Sequence, residues 1–492
     1  MVSPIQSNDK NISKQLIVIG NGFDLQCHMK TRYQDFFNYR FGALLQREIN
    51  KYQKVPFDSR NDFFHKLANE FMLYFSNTVG PEKIFSYVSF DNYDPSSEIK
   101  KEKLQIVAKT KSFMEDYSQQ LKNQITNNIK DEKKQKEFLT KLNAISPTNY
   151  SKWDTIFLLA NCFLSKDSIV QWNDVENIIF NVVSIILLDE KKVALNDLKF
   201  KTGSAKRYFI FGVKNCFKDD SKIVAISMLN ELEKFEENFA NYIETIKGEN
   251  LGDYFKKSFE LLNALMHIQK QNILDVLSFN YSLDKSFLDT FRKDFDNKYN
   301  NKKKLLVNSW SNIHGIAAYK NDAAKGWILS QSIKTVGKDI HIPAPIFGID
   351  NHDILNPDKN GNMDFNDPRS IFTKSFRLLD NHVNNIRTNT FQDDVDVITF
   401  FGHSLNQADY SYFESIFDQY DIFHSKVKLE FYYYPGNNNN KTTAKDNERI
   451  TMKNVVRLLT SYGTTLKNEH GENIVNKLVL EQRLSILPTP EY

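Results

Sequence analysis

Cysteine is almost missing from this chain. Only Cys27, Cys162 and Cys216 occur in 492 residues, an odd number at wide spacing, which excludes a disulfide framework and a CxxC metal site. A reducing cytoplasm is the expected setting. A surplus of one charge is missing too: 64 basic against 61 acidic residues leave +3, too little to create a field that steers nucleic acid. Nucleic acid is therefore not an expected partner. The longest apolar run, IIFNVVSIILL at 178–188, is far below the roughly 20 residues of a spanning helix. No membrane partner is expected. The opening MVSPIQSNDKNISK lacks an apolar core behind a basic start, so no leader is expected. What is present is material for packing: 41% hydrophobic and 13% aromatic residues argue against global disorder. At this length more than one ordinary core is expected.

The stretch around which the chain is organised is LIVIGNGFDL, residues 16–25. Leu16, Ile17, Val18 and Ile19 carry no alternating polar residue, as a strand buried on both faces should. Gly20 and Gly22 flank Asn21, and residues that tolerate positive φ are expected there to form a tight turn and let a ligand approach the backbone. Over residues 31–50, Tyr33, Phe36, Phe37, Phe41, Leu44 and Leu45 recur at helical spacing. Strand, glycine turn and helix together form an anion cradle for phosphate. The full dinucleotide fingerprint wants a third glycine where Leu25 stands. A tight connection without a ligand is the competing reading.

Residues 51–270 contain no strand, turn and helix repeat and read as helices. Apolar stripes run over 63–75, 153–164, 175–188, 223–246 and 251–268, while 87–97 has loop composition and 104–143 is a polar arm. From residue 271 the rhythm changes. Strands are expected at 273–279, 305–315, 344–350, 395–402 and 427–434, the last as an edge strand, with helices at 283–295, 369–386, 410–420 and 446–459. Alternation of this kind predicts an α/β fold with a doubly wound, mostly parallel, Rossmann-like sheet. Residues 1–50 and 271–492 would build it, interrupted by a helical insertion at 51–270.

Four polar clusters fall where such strands should end, at the edge where open α/β sheets bind ligands. They are Gly20-Asn21-Gly22-Phe23-Asp24, Ser278-Phe279-Asn280-Tyr281, Asn312-Ile313-His314-Gly315 and Gly402-His403-Ser404-Leu405. One cluster is ordinary turn chemistry; four at successive strand ends predict a pocket. In QWNDVE (171–176), Asn173 and Glu176 have the spacing of a capping box, and Asp174 and Glu176 do not share a helix face. His341 and His352 flank Asp350 and Asp353 too loosely for a metal site. Cys27 beside His28 reads as a buried small hydrophobe, since nothing evident lowers its pKa.

The segment GNGFDLQCHMKTRYQDF (20–36), with QWNDVE, FNYS (279–282), His314-Gly315, IFGID (346–350), FTKSF (372–376) and GHSLNQADYSYF (402–413), resembles the AbiH family of bacterial phage abortive-infection proteins. The chain departs at 26–30, where that family has a His-Gly-Leu-Pro-like run. The same clusters resemble, more distantly, sirtuin-like NAD-consuming domains, which also carry a helical insertion. This resemblance implies an antiphage effector that hydrolyses NAD at the nicotinamide-ribosyl bond. Gly20 and Gly22 would approach the diphosphate, Asn280 would orient the attacking water or ribose, His314 would act as base, and Gly402 and Ser404 would contact the adenosine half. Asn21, Phe23, Asp24, Tyr281, His403 and Asp409 complete the expected dinucleotide contacts. No metal is expected.

The chemistry suits these residues. Cleavage of that bond creates a cationic, oxocarbenium-like sugar, which an amide holding a nucleophile and an imidazole titrating near neutrality can serve. Plainer roles stay open: Asn280 as a turn residue bonding its own backbone, and His314 as a core histidine bonded to a carbonyl. A phage protein trigger and a homo-oligomer are the expected partners, with sensing, inhibition or oligomerisation as candidate roles of the insertion. Two other functions compete: a non-catalytic NAD or ADP-ribose sensor, and an RNA- or DNA-cleaving toxin.

Overall fold

The computed structural model describes residues 12–37, 39–40, 105, 108–109, 112, 151–165, 172–188, 198–217, 224–283, 287–317, 345–351, 354, 366–380, 389–406, 409–436, 441–466 and 471–492. The expected stripe at 63–75, the loop at 87–97, most of the arm at 104–143, and His341 and His352 lie outside them.

Six strands form one all-parallel sheet: β1 (Ile12–Ile19), β2 (Gln271–Ser278), β3 (Lys304–Asn312), β4 (Val397–Phe401), β5 (Lys428–Tyr433) and β6 (Leu484–Pro488). Their spatial order is β3-β2-β1-β4-β5-β6, with every adjacent pair parallel. This is the order of doubly wound α/β sheets, with its switch point between β1 and β4.

The helices whose bounds fall among the described residues are α1 (Asn21–Gln26), α2 (Lys152–Phe163), α3 (Trp172–Leu187), α4 (Ala205–Cys216), α5 (Val224–Glu249), α6 (Leu251–Leu265), α7 (Phe287–Lys298), α8 (Lys374–Asp380), α9 (Tyr410–Gln419), α10 (Lys441–Gly463) and α11 (Ile474–Leu480). They bury both faces of the sheet. Ile17 and Ile19 point into a core shared with α2 to α7, and Leu16 and Val18 into a second core with α9, α10 and α11. Side chains alternate across a strand, so a segment covered on both sides must be apolar at every position. All four residues are fully buried.

Several expectations need correction. Residues 427–434 do not form an edge strand, because β5 is paired on both sides; the edges are β3 and β6. Of the strand expected at 344–350, the described residues 345–350 make only an isolated bridge, Ile349 to Thr373. Residues 369–386 are not one helix: Pro368–Phe372 is a 3-10 turn that precedes α8. Asn173 cannot cap α3, since that helix starts at Trp172. The capping box lies instead at Ser151 and Asp154, each side chain meeting the other's backbone N–H at the start of α2.

Candidate functional site

A cavity of about 440 Å³ opens where β1 to β4 end, within the roughly 300–1,000 Å³ of small-molecule sites. Four loops supply one side of it: Asn21, Gly22 and Asp24 after β1, Asn280 and Tyr281 after β2, His314 after β3, and Gly402, His403 and Ser404 after β4, while Glu176 of α3 and Phe239 of α5 face them. Asp409 joins them from the start of α9. Two residues expected here lie elsewhere. Phe23 is fully buried in the core with its ring edge-on to Phe401, because α1 turns that face inward. Gly20 does not line the cavity; its carbonyl accepts the Asn280 side-chain amide at 2.8 Å.

The glycines are needed for a different reason from the expected one. Gly20 has φ −120°, and the left-handed region is taken instead by Gly402, at φ +71°, and by Gly315 after β3, at φ +88°. A Cβ on Gly22 would sit 2.6 Å from Gly402 Cα, and one on Gly402 would sit 2.4 Å from the Phe23 nitrogen. The loops after β1 and β4 thus press backbone on backbone, sealed by Gly22 N–H donating to the Gly402 carbonyl at 2.7 Å. The Gly22 amide is thereby committed within the protein. The helix directly after the glycines is the six-residue α1; of the helix expected over 31–50 to complete a cradle, residues 33–37 and 39–40 are helical and 41–50 lie outside the described residues.

Asn280 is fixed by its neighbours. Its N–H donates to Ser278 Oγ at 3.1 Å, and Asn312 Nδ2 donates to its carbonyl at 3.0 Å. Its side chain does not bond its own backbone but ties the end of β2 to Gly20. His314 is 5% exposed and edge-on to both Phe279 and Tyr412. Its Nε2 has no hydrogen-bond partner among the described residues and lies 3.7 Å from Asp409 Oδ1. Burial, aided by the Lys374 ammonium, pushes its pKa down to about 3. The expected titration near neutrality is therefore absent here, and the imidazole is neutral.

Asp409 stands at the N-cap position of α9 but makes no capping hydrogen bond. Its carboxylate is spent on the site. Lys374 Nζ donates to Oδ1 at 2.5 Å and His403 Nε2 is 3.2 Å from Oδ2. The His403 tautomer follows from its other nitrogen, since Nδ1 accepts the Leu405 N–H at 2.9 Å and the ring hydrogen must be on Nε2. Burial opposes charge on Asp409, but Lys374 and His403 overcome it and hold the carboxyl well below the usual range. Glu176 shares the same ammonium at 2.9 Å. Burial raises its pKa, Asp409 adds to the rise, and Lys374 only partly offsets it.

Asp24 is also buried. It accepts hydrogen bonds from Tyr254 Oη at 2.7 Å and Ser282 Oγ at 2.6 Å. Burial nevertheless lifts its pKa to about 6. Cys27 matches the plain reading: desolvation pushes its thiol up to about 12. Sequence reasoning gave no role to Lys374, and none to Arg32, Phe239 or Phe347, which line the cavity or, for Lys374, support it. The signal for Lys374 was its place in FTKSF.

No helix among the described residues is long and apolar enough to cross a membrane. No curated protein and no solved structure matches the chain. A family model described as "Bacteriophage abortive infection AbiH" matches residues 16–433, which span all four loops of the cavity. This chain belongs to the AbiH family, and with it to bacteriophage abortive infection.

Proposed function

We propose that the chain is an abortive-infection effector that hydrolyses NAD at the nicotinamide-ribosyl bond, in a sirtuin-like, Rossmann-like domain carrying residues 51–270 as a helical insertion. One observation carries this reading: loops from four parallel strands meet around one cavity at the switch point between β1 and β4, where doubly wound sheets hold dinucleotides.

The bond between C1′ and the pyridinium nitrogen breaks with its electron pair going to nicotinamide, which leaves neutral and needs no acid. Positive charge develops on the ribose. The ionised Asp409 supplies compensating charge within the cavity. Water adds to C1′ beside the Asn280 amide, and its proton passes to His314 Nε2, with Asp409 Oδ1 3.7 Å away to stabilise the imidazolium. A weak base suffices because the nucleophile attacks a cation.

A second reading, a sensor that binds NAD or ADP-ribose without cleaving it, draws support from the Asn280 amide, which donates to the Gly20 carbonyl within the protein instead of holding a nucleophile. Calorimetry alongside nicotinamide release separates the two. Tight binding with zero turnover selects the sensor, and turnover selects the hydrolase.

A further inference from the structure

One wall of the cavity carries charges that do not balance. Lys374, with 3% of its side chain exposed, lies 2.9 Å from Glu176 Oε1 and 2.5 Å from Asp409 Oδ1, so one ammonium serves two carboxylates. Both carboxylates line the cavity, yet Lys374 does not. The surplus of the trio is thus one negative charge or one proton, displayed toward the space a ligand would take. A further group points to a ligand there: His314 Nε2 is buried, without a hydrogen-bond partner among the described residues, and beside Asp409.

Which of the two carboxylates holds the proton follows from their neighbours. Asp409 has Lys374 and the His403 ring hydrogen; among the described residues Glu176 has the Lys374 ammonium as its cation and is repelled by Asp409 and Asp350. The phenols of Tyr281 and Tyr412 also face this cluster, and burial keeps both neutral. The imidazoles of His403 and His314 act through Asp409. The proton therefore rests on Glu176 when no cation is near. A positively charged group entering the cavity restores the balance and expels it.

We infer that the Glu176, Lys374 and Asp409 trio selects a positively charged ring by exchanging the Glu176 proton for it, so that the site takes the oxidised, pyridinium form of a nicotinamide nucleotide over the reduced, uncharged form. The inference rests on the nucleotide reading above and names the redox form that this site binds. Glu176 is a specificity-determining residue, and Lys374 positions both carboxylates.

Calorimetry of the full chain at pH 7, in two buffers of different ionisation enthalpy, tests it with NAD and NADH as ligands. NAD is expected to bind with release of roughly one proton and at least about tenfold more tightly than NADH, which should bind without release. Glu176→Gln resembles the protonated acid in shape, so its melting curve should follow the parent's. It should lose the proton release and most of the preference. Equal affinity for the two nucleotides, NAD binding without proton release, or release that survives in Glu176→Gln would overturn the inference while leaving NAD binding intact. Should neither dinucleotide bind, the function proposed above fails, and 1-methylnicotinamide cation against nicotinamide becomes the probe pair. Cation-selective, proton-releasing binding would sustain the charge inference alone; no binding of either would end it.

Discussion

At the scale of single residues, the site is built against stability. Asp24 shows this most simply. Burial raises its carboxyl from an ordinary 3.8 to about 6 despite two hydroxyl donors and Lys247. A carboxyl raised on folding contributes stability that is complete below its unfolded pKa and is lost as pH climbs through about 6. Two pKa units correspond to at most about 3 kcal/mol. Asp24→Asn should accordingly raise the unfolding free energy at pH 8 by about 1–3 kcal/mol and leave it near the parent value at pH 4. Urea titrations at the two pH values measure this, and a variant less stable than the parent at pH 8 would refute it. Gly402 is the opposite case. Its φ of +71°, and the 2.4 Å that would separate an added Cβ from the Phe23 nitrogen, leave no room for alanine, and Gly402→Ala should cost roughly 2 kcal/mol or more. Thermal melts check it; an unchanged melting temperature would mean that the two loops do not touch as described.

At the scale of elements, periodicity carried information where packing was uniform and failed where polar residues were satisfied locally. The unbroken run Leu16 to Ile19 announced a doubly covered strand correctly, but β1 begins at Ile12. Gln15 concealed the extension. It is 2% exposed, donates to the Leu265 carbonyl and to Thr399 Oγ1, and accepts the His267 N–H, so a buried polar residue there carries no penalty. The edge was misassigned because the last strand, LSILP, is short and half-buried and ends in a proline, a pattern that also fits a tail. The α5 to α8 contact was invisible in sequence. Arg377 donates to both oxygens of Glu236, at 3.0 and 2.8 Å, with both side chains fully buried, and Glu236 also receives the Phe347 N–H. Removing one partner strands a buried charge, so Arg377→Met should cost about 3–5 kcal/mol. Arg377→Met with Glu236→Gln should recover part of that loss in a double-mutant cycle. Additive losses would show that the pair is not coupled.

At the scale of the whole molecule, the four polar clusters were legible because each sits at a strand end, and a parallel sheet brings such ends to one edge. Of the residues expected around the ligand, Phe23 and Gly20 fall outside the cavity. Alternation of polar and apolar residues cannot tell which side of a six-residue helix faces inward. Lys374 and Glu176 were harder to read. They come from α8 and α3, nearly 200 residues apart, and no local pattern records that they meet over Asp409. The most direct test of the account follows free nicotinamide from NAD incubated with the purified full chain, with and without phage lysate, in parallel with Asn280→Ala and His314→Ala. Release by the parent chain, and its loss by roughly a hundredfold or more in both variants at unchanged circular dichroism, is the predicted result. Absence of release even with lysate, or turnover at the parent's rate in both variants, would contradict it.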